Sequence, residues 1–386
     1  MKAMKKSYSL ILLLLLVIQV ACQGKDPAVS SDTKVVSPAI QSSDQSAPVD
    51  DTIGKATRKI TDYAGRLVEI PAQPERVICC GVGALRYTAY MQAVDLLVGV
   101  EDYEKESSLD RLYNYVNYDR LKDLPIIGGN GEPNIEQIVE LNPQLIVMTG
   151  FVKMDPDLLQ EKTGIPVVVI AGSDRTLDEK SFDSITLLGE IYGRQDRARE
   201  LADYLTALRE DLKSRTEDIA QDEKPTVYIG GVSFKGHHGF EGTEANYGPL
   251  SLIGADNLAD RTGQEGAFNI DMEQVLDWDP DYIFLDFNGM DLIRGQFGEQ
   301  PDFFNSLKAV REGRVFSQIS FRSYASNLET ALADAYYAGS ILYPDRFNDI
   351  DPVEKAGEIY RELLGKDPGQ ALKEAGYEFR PIRLGE

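Results

Sequence analysis

Apolar residues recur at Phe182, Ile185, Leu188 and Ile191, then at Ala198, Leu201, Leu205, Leu208 and Leu212, three or four apart with charge between. That spacing lines one face of a 3.6-residue helix. Gly193 interrupts the run and suits a helix C-terminus, and Asp196 is placed to cap the restart. The pattern predicts a helix near residues 179–192 and a longer one near residues 195–215. At 1.5 Å per residue the second reaches roughly 30 Å, about the width of a small domain. Such a helix can run alongside two lobes and join them.

Elsewhere the period shortens. Residues 60–70 alternate around Ala64-Gly65-Arg66 and predict a β-hairpin. Short apolar runs at 77–80, 96–100, 145–149 and 167–171 read as strands, with helices over 85–93 and 135–141 and an irregular or helical stretch over 103–121. After the long helix come strands over 227–232, 282–286 and 315–319, a Gly-rich loop over 233–249, and helices over 250–254, 272–278, 303–310, 327–343 and 352–364. Strands alternating with helices imply parallel sheets.

The two halves echo one another. Asn134-Ile135-Glu136-Gln137-Ile138, with Asn142-Pro143 following, reappears as Asp271-Met272-Glu273-Gln274-Val275 with Asp279-Pro280, at a constant offset (273 − 136 = 137; 280 − 143 = 137). Gly164-Ile165-Pro166-Val167-Val168 is matched by Gly313-Arg314-Val315-Phe316, and the strand before Gly81 by the strand before Gly231. Two repeats are too few for a solenoid. The expected fold is therefore α/β: two Rossmann-like lobes with parallel sheets, over 57–175 and 218–386, joined by one long backbone helix within 176–217, with a ligand cleft between the lobes. In parallel sheets ligands sit at the carboxyl ends of strands, here 81–86, 149–153, 233–239, 287–289 and 320–324.

The chain's beginning changes the setting. Lys2, Lys5 and Lys6 precede the apolar run 10–17 and then Ala21-Cys22, the form of an exported signal peptide over 1–21. A Cys after a small residue resembles the bacterial lipoprotein signal, which implies lipidation of Cys22, although Gln19 stands where that signal prefers Leu. Residues 22–56, rich in Ser, Asp, Pro and Ala, predict a flexible tether. The whole chain carries −23, and the exported form, without three lysines, about −26 (−23 − 3). Such acidity excludes nucleic acid as a partner and leaves the lipid as the expected contact with a membrane. Of the three cysteines, Cys79 and Cys80 are neighbours that cannot easily pair, so no disulfide framework is expected.

The opening Ile60-Thr61-Asp62-Tyr63-Ala64-Gly65-Arg66, then Pro74-Glu75-Arg76-Val77, and the segment Asn134–Val147 resemble the substrate-binding proteins of iron-siderophore, haem and cobalamin ABC importers. The resemblance covers about residues 60–365. It implies two α/β lobes on a rigid backbone helix, capture of a metal chelate between them, and delivery to a permease dimer and its ATPase. It also implies that Glu136 and Glu273 dock onto permease arginines, one from each lobe. Arg–carboxylate pairs are directional enough to set an orientation; the plainer reading is two helix-N-terminal carboxylates favoured by the macrodipole. A monomer anchored outside the cytoplasm is expected.

Several residues at the strand ends could hold such a ligand. Arg86 and Arg322 follow strands, and Tyr87, Phe151, Phe234 and Tyr324 are aromatics at the same ends. An Fe(III) chelate is often anionic, so guanidinium forks and ring faces suit it. His237 and His238, the only two histidines, are adjacent in the Gly-rich loop beside Lys235. Neighbouring histidines cannot both grip one ion, so no resident metal or cofactor is expected. One of them could ligate the metal of a haem or corrinoid, or both could be ordinary loop residues. No Gly-x-Ser-x-Gly elbow, His-Glu-x-x-His or P-loop is present, which leaves a tethered enzyme little material. A siderophore-type ferric chelate is the expected cargo, with corrinoid, haem, or a free ion or oxyanion as alternatives.

Overall fold

The computed structural model describes residues 56–385 apart from Asn130 and Asp174. The expected signal peptide, Cys22 and nearly all of the tether lie outside the described residues. The described part opens with an antiparallel hairpin of β1 (Thr57–Thr61) and β2 (Leu67–Pro71), its turn made at Gly65 with φ 77°, a backbone angle that a Cβ would strain.

The first lobe comprises β3 (Val77–Cys80), α1 (Ala84–Tyr90), β4 (Leu97–Gly99), α2 (Leu112–Leu121), β5 (Gly128–Gly129), β6 (Glu132–Pro133), α3 (Ile135–Leu141), β7 (Leu145–Thr149), α4 (Pro156–Thr163) and β8 (Val167–Ile170). Strands β4, β3, β7 and β8 lie side by side in that order, all parallel. Every residue of β3, β7 and β8 is buried, as expected of apolar runs covered on both faces. Cys79 and Cys80 are among them, as free thiols; burial pushes the Cys79 thiol up to about 12.

The lobes are linked by α5 (Glu179–Tyr192) and α6 (Gln195–Ser214). Gly193 ends α5 at φ 66°, as the sequence pattern requires. The expected cap by Asp196 is not formed. The tight turn at Gly193 lets the helix restart at once after Arg194, so Asp196 falls inside the first turn and pairs with Arg199. Leu201, Leu205, Leu208 and Leu212 are buried along one face. Each such burial stabilises by about 1.5–3 kcal/mol. The opposite face is polar, and beyond the leucines their own face ends in two arginines that reach the second lobe, Arg197 to Glu362 at 2.6 Å and Arg215 to Asp349 at 2.6 Å.

The second lobe comprises β9 (Thr226–Gly230), β10 (Gly242–Ala245), α7 (Gly248–Leu252), β11 (Asp256–Asn257), β12 (Gly266–Asn269), α8 (Met272–Trp278), β13 (Tyr282–Asp286), α9 (Met290–Glu299), α10 (Pro301–Ser306), α11 (Lys308–Arg311), β14 (Val315–Gln318), α12 (Leu328–Leu342), α13 (Pro352–Leu364) and α14 (Gly369–Glu374). Its sheet runs β11, β9, β13, β14, again all parallel. In both lobes the first strand therefore lies between the second and the third. The repeat extends to single residues: Asn134 and Asp271 cap α3 and α8, and Asn142 and Asp279 end them at φ 47° and 42°. Three expectations need correction. The Gly-rich loop contains β10, paired antiparallel with β12. The single helix over 303–310 is two, because Leu307 is extended. Helices α4, α9 and α14 were not expected.

The linking helix does not hold the lobes alone. Helix α13 packs on α1 and α2, Arg86 Nε donates to Asn327 Oδ1 at 2.9 Å, and Tyr90 donates to Glu329, all buried. A polar seam thus crosses the base of the cleft. Among the described residues, no helix is long and apolar enough to span a membrane.

Candidate ligand-binding cleft

The loops after β9, β13 and β14 converge on the segment before α2. Together they line a cavity of about 680 Å³ between the lobes. Ser108, Asp110 and Arg111 come from the first lobe; Ser233 to His237, Asn288 and Arg322 to Ala325 come from the second. Lys235, Tyr324 and Ala325 hold positive φ values of 53°, 50° and 70°. Non-glycine residues in that region carry strain that surrounding structure must enforce, and such strain gathers at functional sites.

The enforcement is visible. Asn327, fully buried, donates through Nδ2 to the carbonyls of Phe321 at 2.9 Å and Ser323 at 3.2 Å, and across the lobes to that of Asp110 at 3.2 Å. Arg86 donates to Ser323 O at 3.1 Å and to Tyr324 O, while its guanidinium lies 5.1 Å from the Tyr113 ring. Glu104, also buried, accepts from Tyr113 at 2.7 Å and Asn114 at 2.9 Å. Arg86 therefore shapes the cavity wall from behind without lining it.

The wall itself is cationic and aromatic. Tyr103 and Tyr324, from opposite lobes, stack at 4.2 Å, and the Arg111 guanidinium lies 5.0 Å over the Tyr324 ring. One terminal nitrogen of Arg111 donates to Tyr103 O at 2.8 Å and Glu106 O at 3.0 Å, and its Nε has no protein partner. Arg322 meets Glu244, 1 % exposed, through two nitrogens. Burial raises the Asp110 carboxyl above its usual range, against the pull of Arg111 and His237. The same cause, stronger, takes Asp286 up to about 7 just beneath the cavity, where it accepts from Asn288 N at 2.9 Å.

The residues singled out from sequence divide into two sets. Phe234, Lys235, His237, Arg322 and Tyr324 are brought together on the cavity. His238 stacks on Phe234 at 3.9 Å and its Nε2 lies 2.9 Å from Phe234 O, so it braces the loop. Tyr87 is buried and donates to Ser181 Oγ at 3.1 Å, and Phe151 is exposed after β7, away from the cavity lining. Glu136 and Glu273 are exposed in the first turns of α3 and α8. Arg111 and Asp110 were missed, because the Tyr- and Asn-rich segment around them shows no clear period. Asn288 was within an expected strand end but carried no charge to mark it.

A family model described as periplasmic binding protein matches residues 88–318. The molybdate-binding protein MolA of Haemophilus influenzae is 23 % identical over 331 residues, covering 80 % of this chain and 91 % of that protein. The Fe(3+)-citrate-binding protein YfmC of Bacillus subtilis is 26 % identical, covering 68 % and 78 %. Among solved structures, molybdate-bound MolA superposes with a TM-score of 0.62 at 22 % identity, over 80 % of this chain and 98 % of that one. A TroA-like periplasmic binding protein, FepB from Veillonella parvula, gives 0.63 at 22 % identity, over 80 % and 97 %.

Proposed function

The chain belongs to the periplasmic binding protein family, extracytoplasmic substrate-binding components of ABC importers rather than enzymes, and from that premise we propose that it captures an anionic ferric chelate of the siderophore type. The observation that carries this reading is the cavity wall. Arg111, Arg322, Lys235 and His237 converge there with Tyr324 and Phe234, in a chain whose net charge is −23. Positive charge concentrated in one cleft of an acidic protein favours an anion, and guanidinium and ring faces favour one with flat, delocalised surfaces. Size supports a chelate over a bare oxyanion: about 680 Å³ is the volume of a pocket for a drug-sized molecule. A relative named for binding ferric citrate supports the same class. Haem or a corrinoid is the second reading, favoured by His237, which stands exposed on the cavity as an axial ligand would. The metal is part of the cargo in either case, and no resident cofactor is invoked.

Delivery follows from the repeat. Glu136 and Glu273 occupy equivalent, exposed positions on α3 and α8, so a permease dimer with paired arginines can engage both at once. Cys22 would carry the lipid that anchors a monomer to the bacterial membrane, in the periplasm or at the cell surface. Two measurements test the reading. In a thermal-shift panel of ferric citrate, ferric hydroxamates, haemin and cobalamin, a ferric chelate raises the melting temperature most; if only cobalamin shifts it, the anionic chelate is wrong. Reversing both docking charges, Glu136→Arg with Glu273→Arg, abolishes uptake in cells while leaving the panel response intact. Full uptake by that variant would remove the docking assignment.

A further inference from the structure

The second lobe holds more buried acid beneath the cavity than buried base. Asp286, at the end of β13, accepts from the Asn288 backbone N–H and from the Ser320 hydroxyl. Asp334, inside α12, is fully buried; one carboxyl oxygen accepts from Ile319 N at 3.0 Å and the other has no protein partner. Gln318 donates to the Asp334 carbonyl at 3.5 Å while its own side-chain oxygen lacks a donor. Tyr247, fully buried and with its hydroxyl unpartnered, is faced by Asp334, Asp286 and Glu244 together. Arg322 is the cation of this group, and Glu244 already engages it. From the first lobe the Asp110 charge acts on Asp286, and Arg111 and His237 lie close enough to act on Asp110. From the C-terminal tail Tyr377 faces both aspartates.

We propose that the cleft takes up a proton together with its anionic cargo, and that the proton resides on the buried Asp286–Asp334 group beneath the cavity floor. The inference rests on the anionic cargo proposed above. Three carboxyls in one low-dielectric pocket with one guanidinium cannot all be ionised. Two of the groups that line the cavity are tied to this cluster: Asn288 through Asp286, and Arg322 through Glu244. An anion settling on Asn288 and Arg322 adds a negative charge beside the carboxyls and draws a proton onto them. Burial holds Asp334 well above the usual carboxylate range and Asp286 at about 7, so Asp286 is the member poised to change state in neutral solution.

The test is isothermal titration of the full-length protein with ferric citrate, molybdate and haemin, in pairs of buffers with different ionisation enthalpies between pH 6 and 8. The expected result is net proton uptake per anion bound near pH 7, with affinity weakening above it by up to about tenfold per pH unit. In Asp286→Asn, which keeps an acceptor for Asn288 and Ser320, the pH slope flattens. A ligand-free measurement runs alongside. As pH rises from about 4 to 7 the unfolded chain releases the Asp286 proton before the folded one does, so folding stability falls through that window. Asp286→Asn removes that fall. Anion binding without proton exchange, or a pH–stability curve that is the same in both proteins, overturns the proposal even if the variant folds poorly, since the buffer pairs use the natural chain. Failure of all three anions to bind overturns the anionic-cargo reading, and the proton with it.

Discussion

In the first lobe the strand ends are shut: Arg86 and Tyr87 after β3 are buried and bonded to protein, and Thr149 at the end of β7 donates to Val82 O at 3.1 Å. In the second lobe the ends of β9, β13 and β14 open onto the cavity through Ser233 to His237, Asn288 and Arg322 to Ala325. The sheets have the same strand order and the repeated helices the same caps. Duplication has kept the frame while the ends of the strands have parted. Burial then settles what an arginine does. Arg86, sealed in, organises the 323–327 turn, whereas Arg322, equally placed after a strand, faces the cleft.

Substitution should split the lobes accordingly. Arg86→Ala leaves the buried Asn327 Oδ1 without its donor and removes the cation that faces the buried Glu329, and is expected to destabilise folding by about 3–5 kcal/mol. Lys235→Ala, on an exposed cavity-loop position, should leave stability within about 0.5 kcal/mol and weaken cargo binding instead. Urea unfolding and equilibrium titration of both variants decide it; equal losses of stability would erase the contrast. A finer comparison lies at the matched helix ends. Asn142→Gly should be close to neutral, because its side chain is not needed in the left-handed position. Asp279→Gly loses the bond that Asp279 Oδ1 accepts from Lys308 N at 2.7 Å, and should be the worse by about 1 kcal/mol. Identical effects would mean that Asp279 serves only its backbone angle.

Much of the frame was legible because local and tertiary signals agree. Helices α3, α5, α8 and α13 begin at Asn134, Asp178, Asp271 and Asp351, each of which accepts backbone N–H bonds, and the apolar period runs to their ends. Helix α4 carried comparable signals, an Asp155 cap, Pro156 and Gly164, but only Leu159 is buried, so its apolar period is too thin to read. The cavity was half legible. Charged or aromatic residues at strand ends pointed to Phe234, Lys235, His237, Arg322 and Tyr324, yet the same rule chose Arg86, Tyr87 and Phe151. Exposure at a strand end is decided by what packs over it, here Asn327 and α13, which lie more than 200 residues away in the chain. Arg111 was invisible for a related reason: its place opposite Tyr324 exists only once the lobes meet.

The most direct measurement is a crystal structure of the protein with the strongest binder from the chelate panel. That cargo is expected between Arg111 and Arg322, in reach of Lys235 and His237 and against the Tyr324 ring. Cargo seated instead at the closed ends of β3 and β7, near Phe151, or outside the cleft altogether, would contradict it.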